Sequence, residues 1–182
     1  MIGYGRPYPK TQRSPGAAGA TLLVALLLLS GCRERTKPSE PDYPQKPPES
    51  SSARVERVVD GDTIRLEGIG PVRLIGVDTP ETYGARVECF GTEATRYVRS
   101  LLPPGVRVRY AVGEDPRDRY GRLLAYVYLP DGGSLNRLLV TAGYATVLTI
   151  PPNDRFAEAF ERAEAAARLA RSGMWARPGC AG

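Results

Sequence analysis

The feature of this sequence that most restricts its fold is a series of short segments in which charged and apolar residues alternate. Residues 54–59 and 63–67 show this pattern on either side of Asp60-Gly61, a pair typical of a hairpin turn, and residues 71–77 form a third, more apolar segment. A period of two indicates β-strands with one buried face. Because strands this short bury that face only by pairing, the sequence predicts a sheet that begins here.

Helical spacing alternates with further strands in the rest of the chain. The segments are, in order, a helix over 92–102, strands over 106–112 and 122–129, and two helices that Ser134 and Asp154 can cap. In the last helix, Phe156, Phe160, Ala163 and Ala167 share one stripe. Three strands, a helix, two strands and two helices predict an α+β fold, a small closed sheet with helices packed on one side.

The N-terminal segment has the pattern of an export signal. An apolar run over 22–29 follows three basic residues and is too short to span a membrane. It ends in Leu29-Ser30-Gly31-Cys32, which looks like the bacterial lipoprotein cleavage box and predicts lipidation of Cys32. An ordinary signal peptide with a chance cysteine is the alternative. We therefore assign 1–31 to a lipoprotein signal peptide and expect a membrane-anchored lipoprotein of the bacterial cell envelope, outside the cytoplasm.

Composition shifts mark the other boundaries. Residues 32–52 are rich in proline and serine and show no apolar period, so they form a tether without a fold of its own. The folded domain is predicted over 53–176, with a tail over 177–182. Two cysteines remain besides Cys32. Cys89 and Cys180 form either a disulfide, as an oxidising compartment would allow, or one buried thiol and one thiol in the tail.

Charge and the absence of histidine limit the chemistry. The sequence pI is about 9.3, but from Ala53 onward 18 Arg oppose 16 Asp and Glu, so overall basicity is weak evidence for binding nucleic acid. Every cation in that part is Arg, which a GC-rich genome or phosphate recognition would explain. With no His in the chain, classes of enzyme that use His as nucleophile, base or metal ligand are excluded. Any catalytic metal is expected to be a hard, oxygen-binding ion.

Acidic residues follow two of the predicted strands. Asp60-Gly61-Asp62-Thr63 is, by itself, a common turn, and Asp78-Thr79-Pro80-Glu81 could be a simple strand exit. Together, two carboxylates at neighbouring strand ends with a backbone carbonyl between them would form an open oxygen site for Ca²⁺. Arg73 alternates with Ile75 and Val77, so we expect it on an inward face, where an Arg is costly unless it meets an anion.

Several linked motifs resemble the staphylococcal nuclease (thermonuclease) family. The resemblance runs from about Val55 to Trp175, in order and with few length changes. It is carried by Val58-Val59-Asp60-Gly61-Asp62-Thr63, Arg73-Leu74, Val77-Asp78-Thr79-Pro80-Glu81-Thr82, Gly91-Thr92-Glu93-Ala94, Asp118-Arg119-Tyr120-Gly121-Arg122, Leu135-Asn136 and Gly173-Met174-Trp175. Each motif alone is weak, but the set at this spacing is specific.

The resemblance implies a five-stranded OB-fold β-barrel with three α-helices that hydrolyses DNA and RNA to 3′-phosphorylated products. By position, the implied roles are Ca²⁺ ligation by the Asp62 and Asp78 carboxylates and the Thr79 carbonyl, orientation by Asp60, handling of the attacking water by Glu81, and phosphate contact by Arg73 and Arg122. Tyr120 is a candidate substrate contact. A monomer is expected.

The chain departs from the family pattern at one place. Thr149 and Pro151 stand where relatives commonly carry tyrosines that contact the bound nucleotide. Base stacking there is in doubt, whereas the cleavage residues are all present. The alternative function is a catalytically weak, SNase-like OB-fold module that binds nucleic acid on the cell envelope. Loss of an Asp, Glu or Arg from the site would mark that case, and none is lost. A purely structural envelope lipoprotein would have no reason to keep Arg73.

Overall fold

The computed structural model describes residues 49–82 and 88–180. The predicted signal peptide, the lipidation site at Cys32 and most of the tether lie outside the described residues. No helix within the described ranges is both long enough and apolar enough to cross a bilayer.

Seven strands, three α-helices and one 3-10 helix make up the described domain. In chain order they are β1 Ser51–Val58, β2 Thr63–Leu66, β3 Gly70–Leu74, β4 Gly76–Asp78, α1 Gly91–Leu101, β5 Arg107–Arg117, β6 Leu123–Tyr128, α2 Leu135–Thr141, β7 Thr146–Leu148, α3 Ala157–Leu169 and a 3-10 helix Gly173–Ala176.

Five of the strands close into a barrel. Their order is β1-β2-β3-β6-β5, and β5 returns to pair with β1. All the pairings are antiparallel except that between β3 and β6. The barrel interior is aliphatic, and α2 and α3 add to the same core with Leu135, Leu139 and Phe160. The predicted fold class, an α+β five-stranded barrel with three α-helices, is confirmed.

The third predicted strand is in fact two strands. Gly76 adopts φ 78°, and a Cβ there would lie 2.6 Å from the Phe160 ring, so the position requires glycine. The chain therefore turns after Leu74, and β4 leaves the barrel to pair with β7, a strand that the sequence did not predict. The predicted face of Arg73 was wrong for this reason. Val72 and Leu74 point into the core, and Arg73 lies on the opposite face of β3.

Element ends differ by a few residues from the predictions. β1 begins at Ser51, inside the range assigned to the tether, because Ser51–Arg54 pairs with the long β5. Ser134 caps α2 as predicted, since its Oγ accepts a hydrogen bond from the Arg137 backbone N–H at 3.2 Å. α3 begins at Ala157, and Asp154 contributes only its carbonyl to that first turn. The predicted side-chain cap at Asp154 was therefore wrong.

A buried amide connects α2 to the barrel. Asn136 is fully buried; its Nδ2 donates to the Ile75 carbonyl at 2.8 Å, and its Oδ1 accepts the Val127 N–H at 2.9 Å. Both backbone groups lie at strand positions where the ladder is interrupted or ends. The side chain thus satisfies groups that would otherwise be buried without partners.

The C-terminal segment is attached to the start of α1. Cys89 and Cys180 are joined by a disulfide, with a Cα–Cα distance of 5.0 Å. Arg177 adds an ion pair with Glu93 at 3.2 Å and lies over the Phe90 ring. The 3-10 helix, the tail and the first turn of α1 therefore form one surface.

Candidate active site

Asp62 is the centre of the candidate site. It follows the β1–β2 turn and is buried, with 6% of its surface exposed. Its Oδ1 accepts the Thr63 hydroxyl at 3.1 Å and pairs with Arg73 Nε at 3.1 Å. Its Oδ2 accepts the N–H and the hydroxyl of Thr79 at 2.9 and 3.0 Å. A buried carboxylate is costly unless its oxygens are hydrogen-bonded, and these partners connect the start of β2 with β3 and the end of β4.

The turn that carries Asp62 is shaped by its two neighbours. Asp60 Oδ1 accepts the Asp62 N–H at 3.1 Å, which closes a local side-chain turn. A Cβ at Gly61 would lie 2.6 Å from the Thr79 hydroxyl, so only glycine permits this close packing. Burial, together with the nearby Asp62 charge, raises the pKa of Asp60 to about 6.

Arg73 is held by four acceptors. Besides the Asp62 pair, its Nη2 donates to Asp78 Oδ1 at 2.6 Å, and its Nη1 donates to the carbonyls of Leu74 and Val77. Only 13% of the side chain is exposed. The two carbonyls are available because β3 ends just after Arg73 and the chain turns at Gly76. The break in the strand therefore creates the socket for the guanidinium.

Arg122 is positioned by the turn between β5 and β6. Its Nε donates to Asp118 Oδ2 at 2.6 Å, and its Nη1 reaches the Thr63 hydroxyl at 3.4 Å. Asp118 Oδ1 also accepts the backbone N–H groups of Tyr120 and Arg122, both at 2.9 Å. Burial acts to raise the pKa of Asp118, but the hydrogen bonds from Arg122 outweigh it and lower that pKa.

The two arginines belong to one network. Contacts run from Arg73 to Asp62, from Asp62 to the Thr63 hydroxyl, and from that hydroxyl to Arg122. Tyr120 lies beside this network, 68% exposed, with Arg122 5.5 Å and Arg119 4.8 Å from its ring centre. The predicted phosphate-contact residues and the predicted substrate contact are thus neighbours around one opening.

Glu81 lies on the exposed loop after β4 and is held through its backbone. The Glu88 Oε2 accepts the Glu81 N–H at 2.9 Å, and the Glu88 N–H donates to the Glu81 carbonyl at 2.9 Å. The side chain of Glu81 is free of these contacts and points to solvent-accessible space. Burial, followed by the charges of Asp62, Asp78 and Glu88, raises its pKa.

Negative charge at the site exceeds positive charge. The pKa of Asp78 is raised by burial and by Asp62 and Glu88, although Arg73 acts to lower it. With Asp60 and Glu81, three carboxyl groups around Asp62 have raised pKa values; burial is the largest cause at each, and the charge of Asp62 adds to it. Half of the Asp78 side chain is exposed. No group of three His, Cys, Asp or Glu with metal-ligand geometry occurs in the described ranges.

A cleft of about 550 Å³ opens over this network. One wall carries Arg117, Arg119, Tyr120 and Arg122, and the other carries Leu148, Ile150 and Pro151. Ile150 is 63% exposed. The second wall is therefore aliphatic, and no aromatic ring faces the tyrosine across it among the residues that line the cleft.

Comparison with known proteins agrees with this geometry. The family model described as staphylococcal nuclease homologue matches residues 71–177. The chain belongs to the staphylococcal nuclease family.

Three relatives illustrate the sequence identity between this chain and known proteins. The thermonuclease of Staphylococcus intermedius is 40% identical over 128 residues, which cover 68% of this chain and 75% of that protein. Endonuclease YhcR of Bacillus subtilis is 38% identical over 134 residues, 66% of this chain but 11% of its own length. Endonuclease YncB of B. subtilis is 36% identical over 132 residues, 69% of this chain and 62% of its own.

Three residues of this staphylococcal nuclease domain were missed as site residues. The sequence does carry a signal for Asp118, because an Asp at the start of a turn commonly accepts hydrogen bonds from the backbone N–H groups of the residues that follow it. Thr63 and Glu88 have none: the Thr63 hydroxyl acts only because β2 and β6 converge, and Glu88 acts across a loop from Glu81. Of the predicted site residues, Arg73, Tyr120 and Arg122 line the cleft. Asp60, Asp62, Asp78 and Thr79 do not line it and connect to it through the contacts of Asp62 and Asp78 with Arg73, and Glu81 lies two residues after Thr79 on the exposed loop. Cys89 of the disulfide directly follows Glu88 in the chain.

Proposed function

We propose that this chain is a calcium-dependent nuclease that hydrolyses phosphodiester bonds of DNA and RNA and leaves 3′-phosphorylated products. The observation that carries the proposal is the network that joins Arg73 to Arg122 through Asp62 and Thr63 beneath an open cleft. Two guanidinium groups at one opening suit a phosphodiester, because planar forks match the non-bridging oxygens.

The two arginines would act on charge that develops during attack. In-line displacement adds negative charge to the non-bridging oxygens, and preorganised donors stabilise that charge at no cost of reorganisation. Arg122 has two of its five donors engaged by the described residues, so it has donors left for substrate. Arg73 is almost fully engaged, so its main contribution is a fixed positive charge close to Asp62 and Asp78.

Glu81 is the proposed general base. Its carboxylate is free of hydrogen bonds from the described residues, whereas its backbone is held at both ends by Glu88. Its raised pKa suits a base that must take a proton from water near neutral pH, because proton transfer is most efficient when the pKa approaches the working pH. With no His in the chain, a carboxylate is the natural candidate.

The donor set at the site fits Ca²⁺. The Asp62 and Asp78 carboxylates and the Thr79 carbonyl would hold it, and the half-exposed Asp78 side chain, of which Oδ1 contacts Arg73, supports an oxygen donor open to a cation there. When bound, the ion would supply further positive charge for the phosphate oxygens. Asp60, which holds the Asp62 turn, would keep the first ligand in place.

We also propose that the chain is exported and anchored to the envelope through lipidated Cys32. The Leu29-Ser30-Gly31-Cys32 motif motivates this proposal, and the Cys89–Cys180 disulfide supports an oxidising compartment. Labelling of cells with a fatty-acid analogue would test it. The parent chain should take up label and the Cys32→Ser variant should not; equal labelling of the two would overturn the anchor.

The nuclease proposal is tested with the full chain in gels that contain DNA or RNA, with Ca²⁺ or with excess EGTA. Clearing should require Ca²⁺. In solution, Glu81→Gln should lower kcat by about 10²-fold or more, in the range of losses of general acid–base groups, and leave nucleic acid binding intact. Glu158→Gln removes an exposed carboxylate on α3 and serves as the matched control. Tight DNA binding without clearing by the parent chain would favour the binding-module function instead.

A further inference from the structure

A second cleft, of about 360 Å³, lies between Thr82 and α1. We define it by its lining residues and call it the α1 cleft: Thr82, Thr92, Thr95, Arg96 and Arg99. Three hydroxyls and two guanidinium groups face it, and none of its lining residues is acidic. Nothing in the proposed cleavage chemistry uses these side chains.

Two of the hydroxyls lack a hydrogen-bond partner. Only 6% of the Thr95 surface is exposed, and its Oγ1 makes no hydrogen bond with the described chain. The buried Oγ1 of Thr82 makes none either. A Thr inside a helix usually bonds back to a carbonyl one turn earlier. A buried hydroxyl that makes no hydrogen bond is destabilising. Such a group in a polar cleft points to a ligand that completes it.

The charge of the α1 cleft selects an anion. Arg96 and Arg99 are exposed, one helical turn apart, and neither forms an ion pair with a carboxylate of residues 49–82 or 88–180. Glu93, the acid nearest to them on α1, is engaged by Arg177 at 3.2 Å. Thr92 lies in the first turn of α1, where the helix end adds partial positive charge. Hydroxyl donors with two guanidinium groups suit a phosphate.

The α1 cleft adjoins Glu81 along the chain. Thr82 follows Glu81 directly, one peptide unit away, about 3.8 Å between Cα atoms. The first residue of α1, Gly91, packs on the same loop: a Cβ there would lie 2.7 Å from the carbonyl oxygens of Pro80 and Glu81. A strand held at Arg73 and Arg122 that extends past Glu81 would therefore be directed toward α1, which carries Arg96 and Arg99.

We propose that the α1 cleft is a second phosphate site, which binds a backbone phosphate of the polynucleotide strand beyond the bond that is cleaved. The assignment of the ligand to the strand rests on the proposed nuclease function. The site makes the enzyme prefer chains of several nucleotides over dinucleotides, because only a longer chain occupies both sites. A free inorganic phosphate shares the chemistry and is distinguished by the experiment.

The experiment measures binding of a fluorescein-labelled single-stranded DNA 12-mer and a labelled dinucleotide to the full chain carrying Glu81→Gln, with Ca²⁺, at several NaCl concentrations. Arg99→Gln should raise the Kd of the 12-mer about 5- to 10-fold. Since each phosphate contact on a single strand contributes about 0.7 to the slope of log Kd against log salt, this variant should reduce the slope by about that amount. The Kd of the dinucleotide should not change.

Two further variants separate binding from folding. Thr95→Val keeps the shape and removes the hydroxyl, so it should weaken 12-mer binding about threefold or more, leave the salt slope unchanged, and leave Tm equal or higher. Arg162→Gln removes one Arg charge on α3, away from both clefts, and should leave both Kd values unchanged. A lower Tm for Thr95→Val would mean a structural hydroxyl and would overturn the site.

Other outcomes also decide the proposal. The proposal would be overturned if the 12-mer Kd of Arg99→Gln lay within twofold of that of Arg162→Gln. It would also be overturned if Arg99→Gln weakened binding of the dinucleotide as much as binding of the 12-mer. Inorganic phosphate at millimolar concentration should compete with the 12-mer for the protein without the Arg99 substitution, and it should no longer compete in Arg99→Gln. If phosphate bound without ever displacing the 12-mer, the assignment of the site to the strand would be overturned. If the unsubstituted chain cleaved neither DNA nor RNA, the proposed function would fail, while these Kd values would still decide the site.

Discussion

Glu88 should control turnover although it contacts no atom that reacts. Its Oε2 accepts the backbone N–H of Glu81 at 2.9 Å, and its own N–H donates to the Glu81 carbonyl at 2.9 Å. Glu88→Ala removes the first bond and leaves the second. The backbone at Glu81 would then be held less firmly, so a smaller fraction of molecules would hold the base in position.

The size of the effect follows from the exposure of the pair. A hydrogen bond to a charged group contributes about 1.5–3 kcal/mol when it is sheltered. Glu81 and Glu88 are both exposed, and water competes for the bond, so we expect about 1 kcal/mol here. This corresponds to about a fivefold drop in the correctly held population and hence in kcat. KM should change little, because Glu88 lies outside the arginine network.

Glu88→Gln provides the comparison. Glutamine keeps an oxygen that accepts the Glu81 N–H but carries no charge, so kcat should stay within about twofold of the parent. The Glu88 charge is one of the causes that raise the pKa of Glu81, after burial, Asp62 and Asp78. Its removal should lower that pKa, and the acid limb of the kcat profile should move to lower pH.

Initial rates on single-stranded DNA at saturating Ca²⁺, measured over a range of pH, test both effects. Glu158→Gln, which removes an exposed carboxylate on α3, controls for net charge. Equal kcat values for the Ala and Gln variants would refute the positioning role, since they differ in whether the hydrogen bond survives. A fall in KM as large as the fall in kcat would refute it as well.

Three further outcomes are expected. Arg73→Lys keeps the charge but loses the guanidinium contacts that hold Asp62, Asp78 and two backbone carbonyls, so kcat should fall about 10²–10³-fold while the Kd for nucleotide suffers less, measured by single-turnover rates and equilibrium binding. Replacing Cys89 and Cys180 by Ala opens a loop with a sequence separation of 91 residues and should lower the free energy of unfolding in urea by about 4–5 kcal/mol or somewhat less, as the Arg177–Glu93 pair still holds the tail. Asp118, whose pKa is lowered in the fold, stabilises the protein fully above its unfolded value of 3.8 and loses this contribution as pH falls through its folded pKa, so Asp118→Asn should flatten that part of the stability profile in urea titrations.

The barrel could be predicted from the sequence because its strands and turns carry local signals. The hairpin at Asp60-Gly61 and the glycine-closed end of α2 lie where pattern and turn chemistry agree. The break at Gly76 was not predictable, because the apolar alternation continues through Ile75 and Val77 as if the strand were unbroken. β4 and β7 have three residues each, too few to show a period. Only their pairing in space makes them strands.

Part of the candidate site could likewise be predicted from the sequence, and part could not. Motifs that hold several site residues in one short segment, such as Asp60 to Thr63, can be recognised because local spacing fixes where the side chains lie. Thr63 itself was read as part of the turn, whereas its hydroxyl links Asp62 to Arg122, 59 positions away. Contacts between distant segments of this kind depend on barrel closure, which no local pattern reports.

The two arginines therefore have different relations to the fold, and loss of activity has a different meaning at each. Arg73 is 13% exposed and donates to Asp78 and to two carbonyls that the break at Gly76 leaves open. Its replacement must disturb both proposed Ca²⁺ ligands and the exit of β3, besides any contact with phosphate. Arg122 is 30% exposed and is held by Asp118 and Thr63, with donors to spare. Because substitution there leaves Asp62 with its other partners, Arg122 is the position at which a loss of rate most directly reports lost contact with the phosphate.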